Sequence, residues 1–106
     1  MEVRKLKDMV RGWFVGNFEP SCFSTEAVEV AVKNYKAGDK EAAHYHKIAT
    51  EITEILSGKV RMNETELIAG DIAIVYPGEI VEFEALEDSS NVVVKIPGAL
   101  NDKYLN

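Results

Sequence analysis

The sequence predicts an all-β fold, a small sandwich or barrel of short strands, and three observations carry that expectation. From Ala27 onward, apolar residues either alternate with polar ones or run in brief β-branched stretches. Turn signals built on Gly, Pro, Asn, Asp and Ser punctuate these stretches roughly every 8–12 residues. After residue 12 no segment keeps a helical period for more than a turn or two. A chain of 106 residues has room for one core, so a single domain over residues 1–106 is expected. Within it, residues 1–26 form an arm and packing segment, 27–96 a β-barrel core and 97–106 a tail.

The elements follow in chain order. Val3, Leu6, Met9 and Val10 are spaced for one or two helical turns. Trp13, Phe14 and Phe18 crowd between Gly12 and Pro20, a cluster best read as rings packed onto the core or onto a partner chain, with rings lining a pocket mouth as the alternative. Pro20-Ser21 marks a turn, and Cys22 and Phe23 read as buried filling. Val28, Val30 and Val32 alternate with Glu29, Ala31 and Lys33, as in a half-buried strand. Gly38-Asp39 turns the chain into a strand holding His44 and His46. Glu51 to Leu56 is a further strand, stopped by Ser57-Gly58. Lys59–Met62 and Glu66–Ile68 flank Asn63-Glu64-Thr65 as a hairpin. Ile72 to Tyr76 suits a strand covered on both sides, and Pro77-Gly78 ends it. Ile80, Val81, Phe83 and Ala85 alternate in part with Glu82 and Glu84. Glu87-Asp88-Ser89-Ser90 reads as a polar turn before a last strand, Asn91 to Ile96. Pro97 to Asn106 shows no periodicity and reads as a surface tail.

Composition narrows the function classes. Eighteen acidic residues against twelve Lys and Arg give a net charge of −6, which argues against a nucleic-acid backbone as partner. The basic residues Arg4, Lys5, Lys7 and Arg11 are interleaved with Glu2 and Asp8 and read as a solvated face. Cys22, the single cysteine, has no partner for an internal disulfide. The start of the chain lacks the apolar core of a signal peptide, and no apolar run approaches membrane-spanning length. The expectation is a cytoplasmic protein with no nucleic-acid or membrane partner.

The chemistry concentrates in one stretch. Both histidines of the chain lie there, His44 and His46, one residue apart. On an extended strand they share a face, with Cα atoms roughly 6.6 Å apart, while Tyr45 points away. Glu51 follows after a short break and can return beside them, completing a three-ligand set for a divalent metal ion. An HxH pair also arises by chance; the carboxylate at a turn's distance and the bracketing glycines add weight to this one.

The spacing Gly38-x5-His44-x-His46-x4-Glu51-x6-Gly58 resembles the first signature motif of the cupin superfamily, both glycines included. Gly70 to Gly78 similarly resembles the start of the second. Together they cover about half the chain. The resemblance implies a small jelly roll, or double-stranded β-helix, with one metal site inside. It implies His44, His46 and Glu51 as metal ligands, with Fe, Mn, Zn, Ni or Cu as the divalent ion. The second motif ordinarily adds a histidine three residues after its last glycine, and here that residue is Val81. Glu82 and Tyr76 are then the alternative protein donors for a fourth position, alongside water. On this resemblance the chain binds or acts on a small-molecule ligand and pairs as a homodimer. Dioxygenase, isomerase and lyase chemistries, or binding without turnover, all remain open, and no catalytic residue is assigned.

Overall fold

The computed structural model describes all 106 residues, and β-structure dominates from Trp13 onward. Ten strands form: β1 Trp13–Val15, β2 Glu29–Tyr35, β3 Lys40–Tyr45, β4 Thr50–Ser57, β5 Lys59–Met62, β6 Thr65–Ile68, β7 Ile72–Val75, β8 Val81–Ala85, β9 Ser89–Ile96 and β10 Tyr104–Leu105. They make two five-stranded sheets, β1-β2-β9-β4-β7 and β10-β3-β8-β5-β6, with antiparallel pairing throughout both. This is the double-sheet jelly roll that the resemblance implies.

Local chemistry explains the corners. Two residues, Asn63 and Glu64, connect β5 to β6, with Asn63 at φ 53, a left-handed conformation that Asn tolerates better than most residues. The Asn63 side chain also ties this turn to its neighbour: its Nδ2 donates to the Ile80 carbonyl and its Oδ1 accepts from the Glu82 N–H. Gly58, between β4 and β5, has φ 78, and a Cβ there would lie 2.2 Å from the Asp88 carbonyl oxygen. Only glycine fits that crossing.

The apolar core sits at one end of the sandwich. Ile55, Val60, Met62, Val81, Phe83 and Ala85 form its buried cluster, flanked by Tyr35, Leu67, Ala73 and Val75. The expected β8 alternation holds, with Val81, Phe83 and Ala85 inward and Glu82 outward.

Several expectations are corrected. On β2 the inward residues are Glu29 and Ala31, with Lys33 and Tyr35 facing the same interior, whereas Val30 and Val32 lie on the outer face, half-buried. The last strand starts at Ser89 rather than Asn91, because Ser89 and Ser90 pair with Tyr35 and Asn34. Strand β7 is an edge of its sheet with Ile72 and Ile74 exposed, so it is covered on one face only. Cys22 is exposed and Phe23 is 67% exposed; they lie outside both sheets, where a single bridge to β1 leaves their side chains uncovered. The segment after Pro97 does more than cross the surface. Its β10 adds an edge strand beside β3, pairing Tyr104 with Tyr45 and Leu105 with His44. The start of the chain does contain short turns, as 3-10 segments at Leu6–Asp8 and Val10–Gly12.

Candidate metal centre and its cavity

His44 and His46 leave the end of β3 on the inner face, and both are buried. Their rings lie 5.4 Å apart between centroids and nearly perpendicular, at 86°. His44 Nδ1 lies 2.9 Å from the Ala42 carbonyl oxygen. A carbonyl only accepts, so Nδ1 carries a proton, and in the neutral ring Nε2 is the nitrogen that offers a lone pair. That arrangement fixes the tautomer in which metal-binding imidazoles are held. His46 is driven down to about 4 by burial first, then by the charges of Lys95 and His44, so it is neutral near pH 7.

Glu51 reaches the same point from β4. Its Oε2 lies 3.7 Å from His46 Nε2, and one ligand atom from each of His44, His46 and Glu51 lies within 4.8 Å of the others. Two donors on one ion at about 2.1 Å each stand between about 3.0 and 4.2 Å apart, so small side-chain rotations suffice to close this set on a cation. Burial raises the Glu51 carboxyl, partly opposed by His44 and Lys95. A largely enclosed carboxylate beside two buried imidazoles is the donor chemistry a divalent cation fits.

The loop that carries the chain from His46 to Glu51 is held by one residue from the far end of the sequence. Asp102 accepts from the N–H groups of Lys47, Ile48 and Ala49 at 2.9–3.3 Å. Although burial acts to raise it, these three backbone donors hold its carboxyl below the ordinary range. On the other side, the Gly78 N–H donates to the His46 carbonyl at 2.7 Å. The second glycine-bounded turn is thus fastened to the histidine strand.

Residue Val81 pairs directly with His44 and is 4% exposed. Its methyls therefore stand against the site where the resemblance expects an imidazole. Neither alternative donor takes its place. Glu82 lies on the outward parity of β8 and is exposed, and Tyr76, just past the end of β7, is 58% exposed.

The triad opens into a cavity of about 390 Å³, within the usual range of about 300–1,000 Å³ for small-molecule sites. Its walls hold residues that sequence alternation assigned elsewhere. Glu29, Lys95 and Glu51 are lateral neighbours across β2, β9 and β4, with Lys95 Nζ 3.7 Å from Glu29 Oε1. Glu41 also faces inward, accepting a hydrogen bond from the Tyr35 hydroxyl at 2.8 Å. Burial and the Glu41 charge push the Tyr35 phenol far up, so it remains a donor. Trp13 lies at this cavity, with Lys33 Nζ 5.1 Å and Lys95 Nζ 5.9 Å from its ring centre. Arg11 and Lys103 complete the rim. Arg11 is exposed as expected but stands at the cavity rim, and Trp13 lines the cavity, the alternative to simple packing.

No protein-family model matches the chain, and no curated protein matches it in sequence. Solved structures do. An uncharacterized conserved protein with a double-stranded beta-helix domain from Klebsiella pneumoniae is 30% identical, with 76% of each chain covered and a TM-score of 0.68. KdgF from Halomonas sp. is 20% identical over 69% of this chain and 72% of its own, with a TM-score of 0.63. Oxalate decarboxylase from Bacillus subtilis, a protein described as having Mn(II) centres, is 21% identical over 76% of this chain but 24% of its own, with a TM-score of 0.67. The last two share the fold.

Proposed function

The chain belongs to the cupin superfamily, and from that premise we propose that it is a metal-dependent protein that binds or acts on a small polar molecule. His44, His46 and Glu51 hold the divalent cation, and the cavity beside them holds the ligand. The observation that carries this reading is the convergence of two buried imidazoles, one with its tautomer fixed, and a buried carboxylate within 4.8 Å. Bound there, a divalent ion supplies Lewis acidity. The protein's own contribution is a polar pocket, a Tyr35–Glu41 pair able to hold a proton beside the ligand, and cations to orient it. Iron, manganese, zinc or nickel all suit two imidazoles and a carboxylate, and the manganese of oxalate decarboxylase adds support for that ion.

Elemental analysis of the purified protein, with a His44→Ala/His46→Ala control, tests the assignment. About one equivalent of metal in the native chain and none in the control is expected. Metal retained by the control would refute the ligand set. Val81 favours a second reading, a metal-free ligand-binding module, which gains if the native chain stays empty after reconstitution with each ion.

A homodimer is part of the proposal, and the outer face of the β1-β2-β9-β4-β7 sheet supports it. Register sets Val30, Val94, Ile52 and Ile74 in one row across that face, with Val32, Val92 and Ile72 in the next, where Glu54 stands between Val92 and Ile72. So broad an apolar surface is a contact surface rather than a solvent-facing one.

A further inference from the structure

We propose that the cavity selects a small hydroxycarboxylate, an anion bearing at least one free hydroxyl, and that Lys95 and Glu29 read those two features. The inference rests on the reading that cation and ligand share this cavity, and it names the class of ligand.

Charge is the first argument. Four cations face the cavity, Arg11, Lys33, Lys95 and Lys103, against three carboxylates, Glu29, Glu41 and Glu51. Two of those carboxylates already have work. Glu51 belongs to the triad, and Glu41 is engaged by the Tyr35 hydroxyl, with Lys103 Nζ 3.9 Å from its other oxygen. A divalent ion on the triad makes the cavity more positive still, in a chain whose net charge is −6. A positive pit in an acidic protein concentrates anions.

Burial supplies the second argument. Lys95 is 8% exposed, and its carboxylate neighbour, Glu29 Oε1, stands at 3.7 Å, beyond hydrogen-bond length. Glu29 is 5% exposed, and its other oxygen, Oε2, is buried without any hydrogen-bond partner. An ammonium offers only donors and a carboxylate oxygen only accepts. The pair thus presents one unmet donor group and one unmet acceptor, side by side. A carboxylate satisfies Lys95, and a hydroxyl on an adjoining carbon satisfies the Glu29 carboxylate, whose enclosed Oε2 reaches the cavity by rotation of the carboxylate group. A simple fatty acid leaves the acceptor orphaned, a penalty in a buried site, and a neutral polyol brings no negative charge to the cavity's excess of cations. The register row Glu29, Lys95, Glu51 puts this pair directly beside the triad, so a ligand held by it lies within reach of the cation.

The test uses three six-carbon probes, D-gluconate, hexanoate and glucitol, each titrated calorimetrically into chelator-treated and manganese-loaded protein, with bound manganese measured before and after. Gluconate is expected to bind at least tenfold more tightly than either of the others. Lys95→Met should reduce gluconate to the level of glucitol, and Glu29→Gln should narrow its advantage over hexanoate. Should Lys95→Met fail to fold, the charge-neutral pair Glu29→Gln/Lys95→Met carries the same test, and loss of the gluconate preference is again expected. Equal affinities for the three probes in the native protein, or a preference untouched by these variants, would overturn the inference. One equivalent of manganese together with equal affinities defeats the ligand class and leaves the metal reading standing. A Lys95-dependent gluconate preference in a protein that takes up no metal defeats the metal reading and sustains the ligand class.

Discussion

Removing the Asp102 carboxylate should loosen the metal triad from a position outside it. Its oxygens take the N–H groups of Lys47, Ile48 and Ala49, the loop between His46 and Glu51. In Asp102→Ala the Ala49 N–H is left in a buried place, which costs about 1–3 kcal/mol. The Lys47 and Ile48 N–H groups belong to exposed residues, so water recovers part of each bond and the loss is about 0.5–1.5 kcal/mol apiece. The sum centres on about 4 kcal/mol, a large share of the roughly 5–15 kcal/mol that holds a domain of this size folded. Urea denaturation of the native and variant chains measures it directly. Thermal unfolding should fall by well over 10 °C, given about 4–8 °C per kcal/mol for a small domain.

Two further readouts separate positioning from mere destabilisation. Chelator-competition with zinc at a temperature where both chains are folded should show roughly 10–100-fold weaker retention, as for other groups that orient metal ligands. The pH dependence has a definite sign. The carboxyl is held below its unfolded value of about 3.9, so its contribution is complete above that pH and disappears as pH falls through the lower folded value. Asp102→Asn should therefore lose stability at neutral pH and show a smaller acid-induced decline than the native chain. Asp102→Ala unfolding at the native urea midpoint, with unchanged zinc retention, would refute the role assigned to this residue.

Three other perturbations probe separate links. Val81→His should place a third imidazole beside His44, its strand partner, and slow the loss of bound metal to a chelator at least tenfold; an unchanged rate would mean position 81 does not address the site. Ile55→Ala, in the centre of the buried cluster, should cost about 2–5 kcal/mol in urea unfolding, and a cost near zero would remove that cluster from its place as the core. Ile74→Glu, on the outer face, should convert a dimer to a monomer in light scattering after gel filtration while leaving the unfolding midpoint of the monomer nearly unchanged; an unaltered mass would exclude this face as the contact.

How far the sequence could be read depended on how local each feature is. The triad is compact, two histidines on one strand and a carboxylate one loop later, and strand parity alone aligns the histidines. Strand alternation likewise finds the β8 core residues, since Glu82 and Glu84 leave only one face apolar. Strand β2 defeats the same reasoning. Valines alternate there with Glu29, Ala31 and Lys33, and period two reveals two faces without saying which one is inside. The polar face turned inward because it lines a cavity, and the valines turned outward onto a second apolar surface. Glu41 was hidden by parity. Two residues separate it from His44, yet only one separates their partners Phe83 and Val81, so an extra residue in β3 brings both onto the inner face. Asp102 lies more than fifty residues from the loop it fastens, and no local pattern announces such a contact.

These misreadings share a physical cause that bears on function. A jelly roll built only for stability would fill its interior with apolar side chains, as this one does around Ile55, Val60 and Phe83. Toward the other end the same strands turn Glu29, Lys95, Glu41 and Glu51 inward. Taking such groups out of water costs several kcal/mol for each ion, and an ion pair at 3.7 Å returns only part of it. Well-packed apolar residues of similar volume would be as stable or more so. Along β4 the inner face passes from Glu51 through Thr53 to Ile55, so a single strand carries both regimes, with the polar end opening to the cavity and the apolar end closing the core. The fold tolerates the charged end because the core and the Asp102 clasp supply stability elsewhere. An interior charge cluster that opposes folding, faces a cavity and leaves a carboxylate oxygen unpaired is what the proposed ligand would complete.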